Sequence, residues 1–193
     1  VPPFKLCYCS SRHRETRFAP LNFAFIVSAR SIRHARFAFG GIAAMPDEPI
    51  KVFFSYSHKD KRLRDTLANH LIIFEHLGAI SGWHDRKITA GSEWAGQINE
   101  HLDTARIILL LVSSDFMASD YCYDVEIKRA MERHEKGEAR VIPIILRPCS
   151  WQRMPFGKLQ ALPTDARAVT DWSNRDKAFL DIVEGIKAVL EEI

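Results

Sequence analysis

Cysteine is scarce in this chain of 193 residues. It has only four cysteines, Cys7, Cys9, Cys122 and Cys149, and the first two lie in an unusual N-terminal segment. So few cysteines form neither a disulfide framework nor a thiolate metal set. Proteins that carry isolated thiols are typical of a reducing compartment. We therefore expect a cytoplasmic protein.

Long hydrophobic runs are also absent. The clean apolar stretches fall far short of the ~20 residues that a membrane-spanning helix needs. The short apolar run at 23–27 follows a long polar lead, which is unlike a secretory signal. We expect no membrane association.

The main body has no excess of basic residues. Residues 1–44 hold seven Lys or Arg and one acid, whereas residues 45–193 hold 20 Lys or Arg and 23 acids. This balance predicts no nucleic-acid partner for the body. The basic segment matches a transit peptide, a binding tail, a disordered extension or a start site assigned too early. We favour the last two, with residues 45–193 forming the domain and Met45 a plausible start.

Strand and helix patterns alternate through residues 45–193. Five β-rich runs are separated by amphipathic helical patterns, which predicts an α/β fold with a parallel sheet covered on both faces. We expect a flavodoxin-like, doubly wound, five-stranded sheet. Pro143 predicts an edge position or a bulge. Asp60 and Gly78 mark the start and end of the first helix, and a capping box at 173–176, followed by apolar residues at helical spacing up to Leu190, predicts the last helix. The predicted strands are 50–55, 79–83, 107–112, 140–146 and 166–170.

Several chemistries are excluded by what the loops lack. There is no glycine-rich dinucleotide or phosphate-binding motif. The first strand ends without the acidic pair of a phosphate receiver. A catalytic Cys–His pair is excluded as well. Cys122 and His134 lie twelve residues apart on one predicted helix, and a separation of ~18 Å prevents any contact between them. His58, His84 and His101 show no metal-ligand spacing, so we expect no metal site.

The remaining candidate is a cleft at the carboxyl edge of the sheet, where ligands bind in open α/β folds. The apolar run 107–112 ends at a polar loop, and the next helical pattern opens with Glu126. The loops after the first and second strands would meet the start of this helix at the same edge. Such a cleft suits a nucleotide, because cations and a helix N-terminus bind phosphates and one carboxylate can contact the sugar.

Three blocks of this sequence resemble Toll/interleukin-1 receptor (TIR) domains of bacterial type. They are VFFSYSHKD at 52–60, WHDRKITAG at 83–91, and SDYC at 119–122 leading to Glu126. Their order and spacing extend the resemblance over residues 50–192.

The resemblance implies an enzyme that cleaves the nicotinamide–ribose bond of NAD+. Products would be nicotinamide with ADP-ribose or a cyclic ADP-ribose isomer, in bacterial defence or signalling. The resemblance makes Glu126 the catalytic residue and assigns substrate contacts to Tyr56, Ser57 and Thr89. NAD+ would be the substrate, and no cofactor is expected.

Two points stay open at this level. Relatives often carry an aromatic residue four before the glutamate, where this chain has Cys122, so Asp124 is a rival acid. Asp124 and Glu126 point ~200° apart on a helix, and only one can face the cleft. The non-catalytic interpretation of Glu126 is a surface acid paired with Arg129.

The alternative function is a non-enzymatic TIR adaptor that only pairs with other TIR domains. In both cases the resemblance makes residues 84–91 an assembly surface. It also implies a homo-oligomer built by head-to-tail contacts.

Overall fold

The computed structural model describes residues 48–83, 94–119 and 126–193, with the side chains of 83 and 94–98 excepted. The predicted extension, residues 1–44, lies outside the described residues. The described part contains a parallel sheet of four strands in the order β2-β1-β3-β4. The strands are β1 (Ile50–Tyr56), β2 (Ile80–Trp83), β3 (Ile107–Val112) and β4 (Arg140–Ile145).

Helices cover both faces of this sheet, as predicted. The alternation of side chains along β1 and β3 sends successive residues to opposite faces. One face packs on the helices α1 and α5, and the other packs on α2 and α4. The helices are α1 (Lys61–His76), α2 (Trp94–Thr104), the short α3 (Ser114–Met117), α4 (Lys128–Glu135) and α5 (Arg175–Glu192).

Strand β3 is the centre of the core. All six of its residues have no exposed surface, because β1 and β4 flank it in the sheet and helices cover it above and below. A strand buried on both faces reads as a continuous apolar run. This is why the sequence IILLLV predicted it correctly.

The predicted fifth strand at 166–170 is wrong. This segment forms two short 3-10 turns, Thr164–Ala166 and Val169–Asp171. Asp165 and Ala166 have φ values of 59° and 53°, which a strand does not allow. Leu162 alone bridges to the outer side of β4, at Ile144.

Pro143 lies on β4, at the edge of the four-stranded sheet, as predicted. Its carbonyl accepts from the amide of Leu162 on the outer side. The missing N–H of proline therefore costs no bond between β3 and β4.

The predicted limits of the first and last helices are close to those observed. Gly78 follows α1 with a φ of +71°, the left-handed conformation that ends a helix. Asn174 caps α5, since its side-chain oxygen accepts from the amides of Asp176 and Lys177 at 2.9 and 3.4 Å. None of the helices in the described ranges has the length and apolar character needed to cross a bilayer.

Truncating the central strand tests this account of the core. We expect Leu110→Ala to lower the free energy of unfolding by about 2–5 kcal/mol, since it removes a fully buried side chain and leaves a cavity. Urea denaturation measures the loss. Leu180→Ala is the matched control, because Leu180 lies on α5 with 55% of its surface exposed. Equal losses for the two variants would contradict the account.

Candidate functional site

The candidate site begins where β1 ends. Successive side chains of a strand point to opposite faces, so Ser55 faces the α2 and α4 side of the sheet. Tyr56 packs in the core on the α1 and α5 side. Any site on the α4 face can therefore use the side chain of Ser55 but not that of Tyr56.

Glu126 lies buried on that same α4 face. Its side chain is only 6% exposed, and one of its carboxylate oxygens, Oε2, accepts a short hydrogen bond from the hydroxyl of Ser55. Residues 126 and 127 form a wide π-type turn just before α4 begins. Such turns occur frequently at functional sites.

The burial of Glu126 overturns the interpretation that it is a surface acid paired with Arg129. Arg129 instead forms a bidentate ion pair with Asp103 of α2, with nitrogen–oxygen distances of 2.7 and 2.9 Å. Glu126 turns inward to Ser55. An ionised carboxylate taken out of water needs hydrogen-bond donors, and the strand supplies one.

Two arginines of α4 hold this helix on α2. Besides the Arg129 pair, the buried guanidinium of Arg133 donates to the carbonyls of Leu102 and Ala105, at 2.5 and 2.7 Å. These carbonyls lie at the C-terminal end of α2, where helix carbonyls need partners. The backbone of α4 is thus fixed independently of the Glu126 side chain.

The structure does not bring all the predicted substrate contacts together. The hydroxyl of Tyr56 accepts from Arg64 at 3.1 Å, and the Arg64 guanidinium lies 4.7 Å from the centre of the Tyr56 ring. Ser57 follows β1 and is partly exposed at the carboxyl edge. Thr89 and the rival acid Asp124 lie outside the described residues.

A second polar group ties the ends of three strands together. We name it the strand-end cluster: Lys59, Asp60, Ser113, Asp115 and Arg147. Arg147 donates to the buried carboxylate of Asp60 at 2.8 Å, and Ser113 donates to the same carboxylate at 2.5 Å. Arg147 also pairs with Asp115, and Lys59 reaches Asp115 at 2.7 Å. The two cations and two carboxylates balance in charge, so the cluster holds the loops in place.

Asp60 was expected to cap α1. It occupies the position before the helix, but its side chain makes no capping hydrogen bond. The carboxylate is 2% exposed and is committed to Ser113 and Arg147. Its role is to join β1 to the ends of β3 and β4.

The cluster shifts the protonation of its members in opposite directions. Hydrogen bonds from Lys59 and then from Arg147 hold the pKa of Asp115 below its ordinary value of 3.8. Hydrogen bonds to Asp60 and then to Asp115 raise the pKa of Arg147. Both shifts favour the charged forms that make the ion pairs.

Cys149 gives no sign of a nucleophile. Burial is the main cause that raises the pKa of its thiol, so the thiol stays protonated, whereas reactive cysteines have a lowered pKa. Among the described residues, no three His, Cys, Asp or Glu side chains lie close enough to hold a metal ion.

One cavity of about 350 Å³ lies at the opposite, amino edge of the sheet. Arg106, His134, Arg140 and Glu192 are among the residues that line it, and Arg140 pairs with Glu192 at 2.6 Å. At 3.3 Å per residue, β3 separates this edge from the carboxyl edge by roughly 20 Å. The cavity is therefore not part of the Glu126 site.

Sequence reasoning missed Ser55 and Arg147. Ser55 is a small polar residue inside an apolar strand pattern, between Phe54 and Tyr56. A polar side chain at a buried strand position needs a partner, and that signal was available. Arg147 directly follows the fourth strand, at the edge where the other loops were expected to meet.

Comparisons with known proteins agree with the fold. A family model described as "TIR domain" matches residues 52–182. The uncharacterised protein y4lF of Sinorhizobium fredii (strain NBRC 101917 / NGR234) is 54% identical over 136 residues, which is 70% of this chain. The matched region spans 42% of the length of y4lF.

Solved structures of TIR domains are also similar to this chain. The TIR domains of the activated Roq1 resistosome, which recognises the pathogen effector XopQ, superpose with a TM-score of 0.56 at 16% identity. The match covers 71% of this chain and 99% of that one. The TIR domain of the Toll-related receptor TRR-2 from Hydra magnipapillata gives a TM-score of 0.49 at 20% identity, over 70% of this chain and 97% of that one.

The strand-end cluster predicts a specific pH dependence of stability. Because the folded-state pKa of Asp115 lies below the unfolded value of 3.8, its ion pairs stabilise the fold above that pH. The contribution is lost as the pH falls through the folded-state pKa. We expect Asp115→Asn to lower the thermal midpoint at neutral pH, and the difference from wild type to shrink below pH 3.8.

The control for this measurement is Glu184→Gln, which changes an exposed acid on α5. Its difference from wild type should be small at every pH. A difference for Asp115→Asn that stays constant down to the lowest pH would contradict the role given to the cluster.

Proposed function

The chain belongs to the TIR domain family, and on that premise we propose that it is an NAD+ glycohydrolase with Glu126 as its catalytic residue. The observation that carries the proposal is the buried Glu126 carboxylate on the α4 face, bound to Ser55 near the end of β1. An acidic residue on the surface of a helix is common and would be weak evidence of a catalytic role. A carboxylate kept out of water next to the ligand-binding edge of an α/β sheet is stronger evidence.

The chemistry needs one well-placed carboxylate. Cleavage of the bond between the ribose C1′ and the pyridinium nitrogen leaves its electron pair on nitrogen, so nicotinamide departs as a neutral molecule. No general acid is required. Positive charge develops on the ribose, and the Glu126 carboxylate stabilises that charge. Water then adds at C1′ and releases a proton, which gives ADP-ribose. Attack on C1′ by a nucleophilic group of the same ADP-ribosyl cation, with loss of a proton where that group carries one, gives a cyclic ADP-ribose isomer instead.

Substrate contacts follow from the same placement. Ser57 lies at the carboxyl edge next to β1 and is proposed to contact NAD+, as is Thr89. The side chain of Tyr56 packs on the opposite face, with its hydroxyl bonded to Arg64. Any contact from Tyr56 to a substrate beside Glu126 would come from its backbone.

We also propose that the chain acts as a homo-oligomer, with residues 84–91 in the head-to-tail contact and a role in bacterial antiphage defence. The structure of the Roq1 resistosome contains several TIR domains, which supports self-association as a working expectation. If assembly completes the site, nicotinamide release per molecule will rise with protein concentration. A pure adaptor would self-associate without releasing nicotinamide at any concentration.

The direct test is nicotinamide release from NAD+ by the full 193-residue chain, separated by chromatography. We expect wild type to be active and Glu126→Gln to lose on the order of 10²–10³-fold in kcat, as is typical when an electrostatic stabiliser is removed. Glutamine keeps the size of the side chain and can still accept from Ser55. Glu132→Gln, an exposed position on α4, is the matched control and should keep full activity.

Asp124→Asn separates the two rival acids. If Glu126 is catalytic, the Asp124 variant retains most of the wild-type rate. Loss of activity in Asp124→Asn with full activity in Glu126→Gln would move the catalytic role to Asp124. Absence of nicotinamide release by concentrated wild type would leave the adaptor function.

A further inference from the structure

We propose that Ser55 is a positioning residue for the reaction, which fixes the orientation of the Glu126 carboxylate through its hydroxyl group. This inference rests on the proposed function and adds a residue that the family resemblance did not supply. The hydroxyl of Ser55 donates to Oε2 of Glu126, and both side chains are buried, at 1% and 6% exposure. The two residues lie 71 positions apart in the chain.

Ser55 is a rigid anchor. It lies in β1, which pairs with β2 on one side and β3 on the other, and Ser55 itself is in register with Leu110. The backbone at Ser55 is therefore held by the sheet. A hydroxyl on such a strand has a defined position, which makes it a better guide for a carboxylate than a loop donor.

Water cannot readily replace this hydroxyl. Ser55 has almost no exposed surface, and a carboxylate that loses a donor in a buried position carries a desolvation cost. Without the hydroxyl, the Glu126 side chain would adopt another rotamer, closer to solvent or to another donor. Either move displaces its oxygens from the ribose.

The backbone of α4 has its own attachments. Arg129 pairs with Asp103, and Arg133 donates to two carbonyls at the end of α2. These contacts do not involve Ser55. Removing the Ser55 hydroxyl should therefore change the orientation of the carboxylate while the helix stays in place, so a positioning role can be distinguished from a structural one.

The expected signature is a change in kcat with little change in KM. Misplacing a catalytic group costs up to about 10²-fold in rate, and we expect Ser55→Ala to lower kcat by about 10–10²-fold on that basis. KM should change little, because the hydroxyl acts on Glu126 and not on the bound substrate. Ser55→Thr keeps the hydroxyl and should recover most of the lost kcat, although its added methyl group lowers stability.

Ser113→Ala is the matched control. Ser113 directly follows the buried strand β3 and has no exposed surface. Like Ser55, it donates to a buried carboxylate, in this case that of Asp60. It belongs to the strand-end cluster, and its hydroxyl contacts Asp60, Arg147 and the amide of Phe116. We expect Ser113→Ala to lower the thermal midpoint while kcat for NAD+ stays at the wild-type value.

The experiment measures kcat and KM for NAD+ and the thermal midpoint for wild type, Glu126→Gln, Ser55→Ala, Ser55→Thr and Ser113→Ala, all as full chains. A lower kcat in Ser55→Ala, recovered in Ser55→Thr and absent in Ser113→Ala, supports the proposal. Wild-type kcat in Ser55→Ala, with Glu126→Gln inactive, overturns the positioning role alone. So does an equal loss of kcat in Ser113→Ala. No nicotinamide release by wild type overturns the proposed function and the positioning role with it.

Discussion

A carboxylate buried beside the edge of a parallel sheet must be matched by hydrogen-bond donors, and this constraint organises the carboxyl edge of the TIR domain. The residues that the structure describes meet it at two places. Glu126 accepts a hydrogen bond from the hydroxyl of Ser55 on β1. Asp60 accepts hydrogen bonds from Ser113 and Arg147, which follow β3 and β4. An unmatched charge at either place would cost several kcal/mol. The donors therefore fix how the strand ends and loops are arranged around the edge.

The two carboxylates have different environments and, on our account, different roles. Asp60 lies among balanced charges, with Arg147 as its ion-pair partner, and it joins three strand ends. Glu126 accepts a hydrogen bond from the hydroxyl of Ser55, which is a neutral donor. A neutral donor orients a carboxylate without cancelling its negative charge, and on our account that charge stabilises the positive charge that develops on the substrate.

The sequence predicts the regular parts of this fold well and the site only in part. Periodicity identified β3 and the two long helices α1 and α5, because burial on fixed faces leaves a local pattern. It failed at 166–170, where the left-handed conformations of Asp165 and Ala166 replace a strand. The partners of Glu126 and Asp60 could not be read from local pattern, since Ser55 lies 71 positions from Glu126 and Arg147 lies 87 from Asp60. The face of Tyr56 could have been deduced, because strand alternation places it opposite Ser55.

The central claim is that NAD+ is cleaved on the α4 face of the sheet, beside Glu126. A crystal structure of the slow Glu126→Gln variant with NAD+ bound tests it most directly. Our account predicts the nicotinamide ribose within hydrogen-bonding distance of the residue 126 side chain, with Ser57 at the edge of the same site. NAD+ bound instead in the amino-edge cavity beside Arg106 and His134 would contradict it.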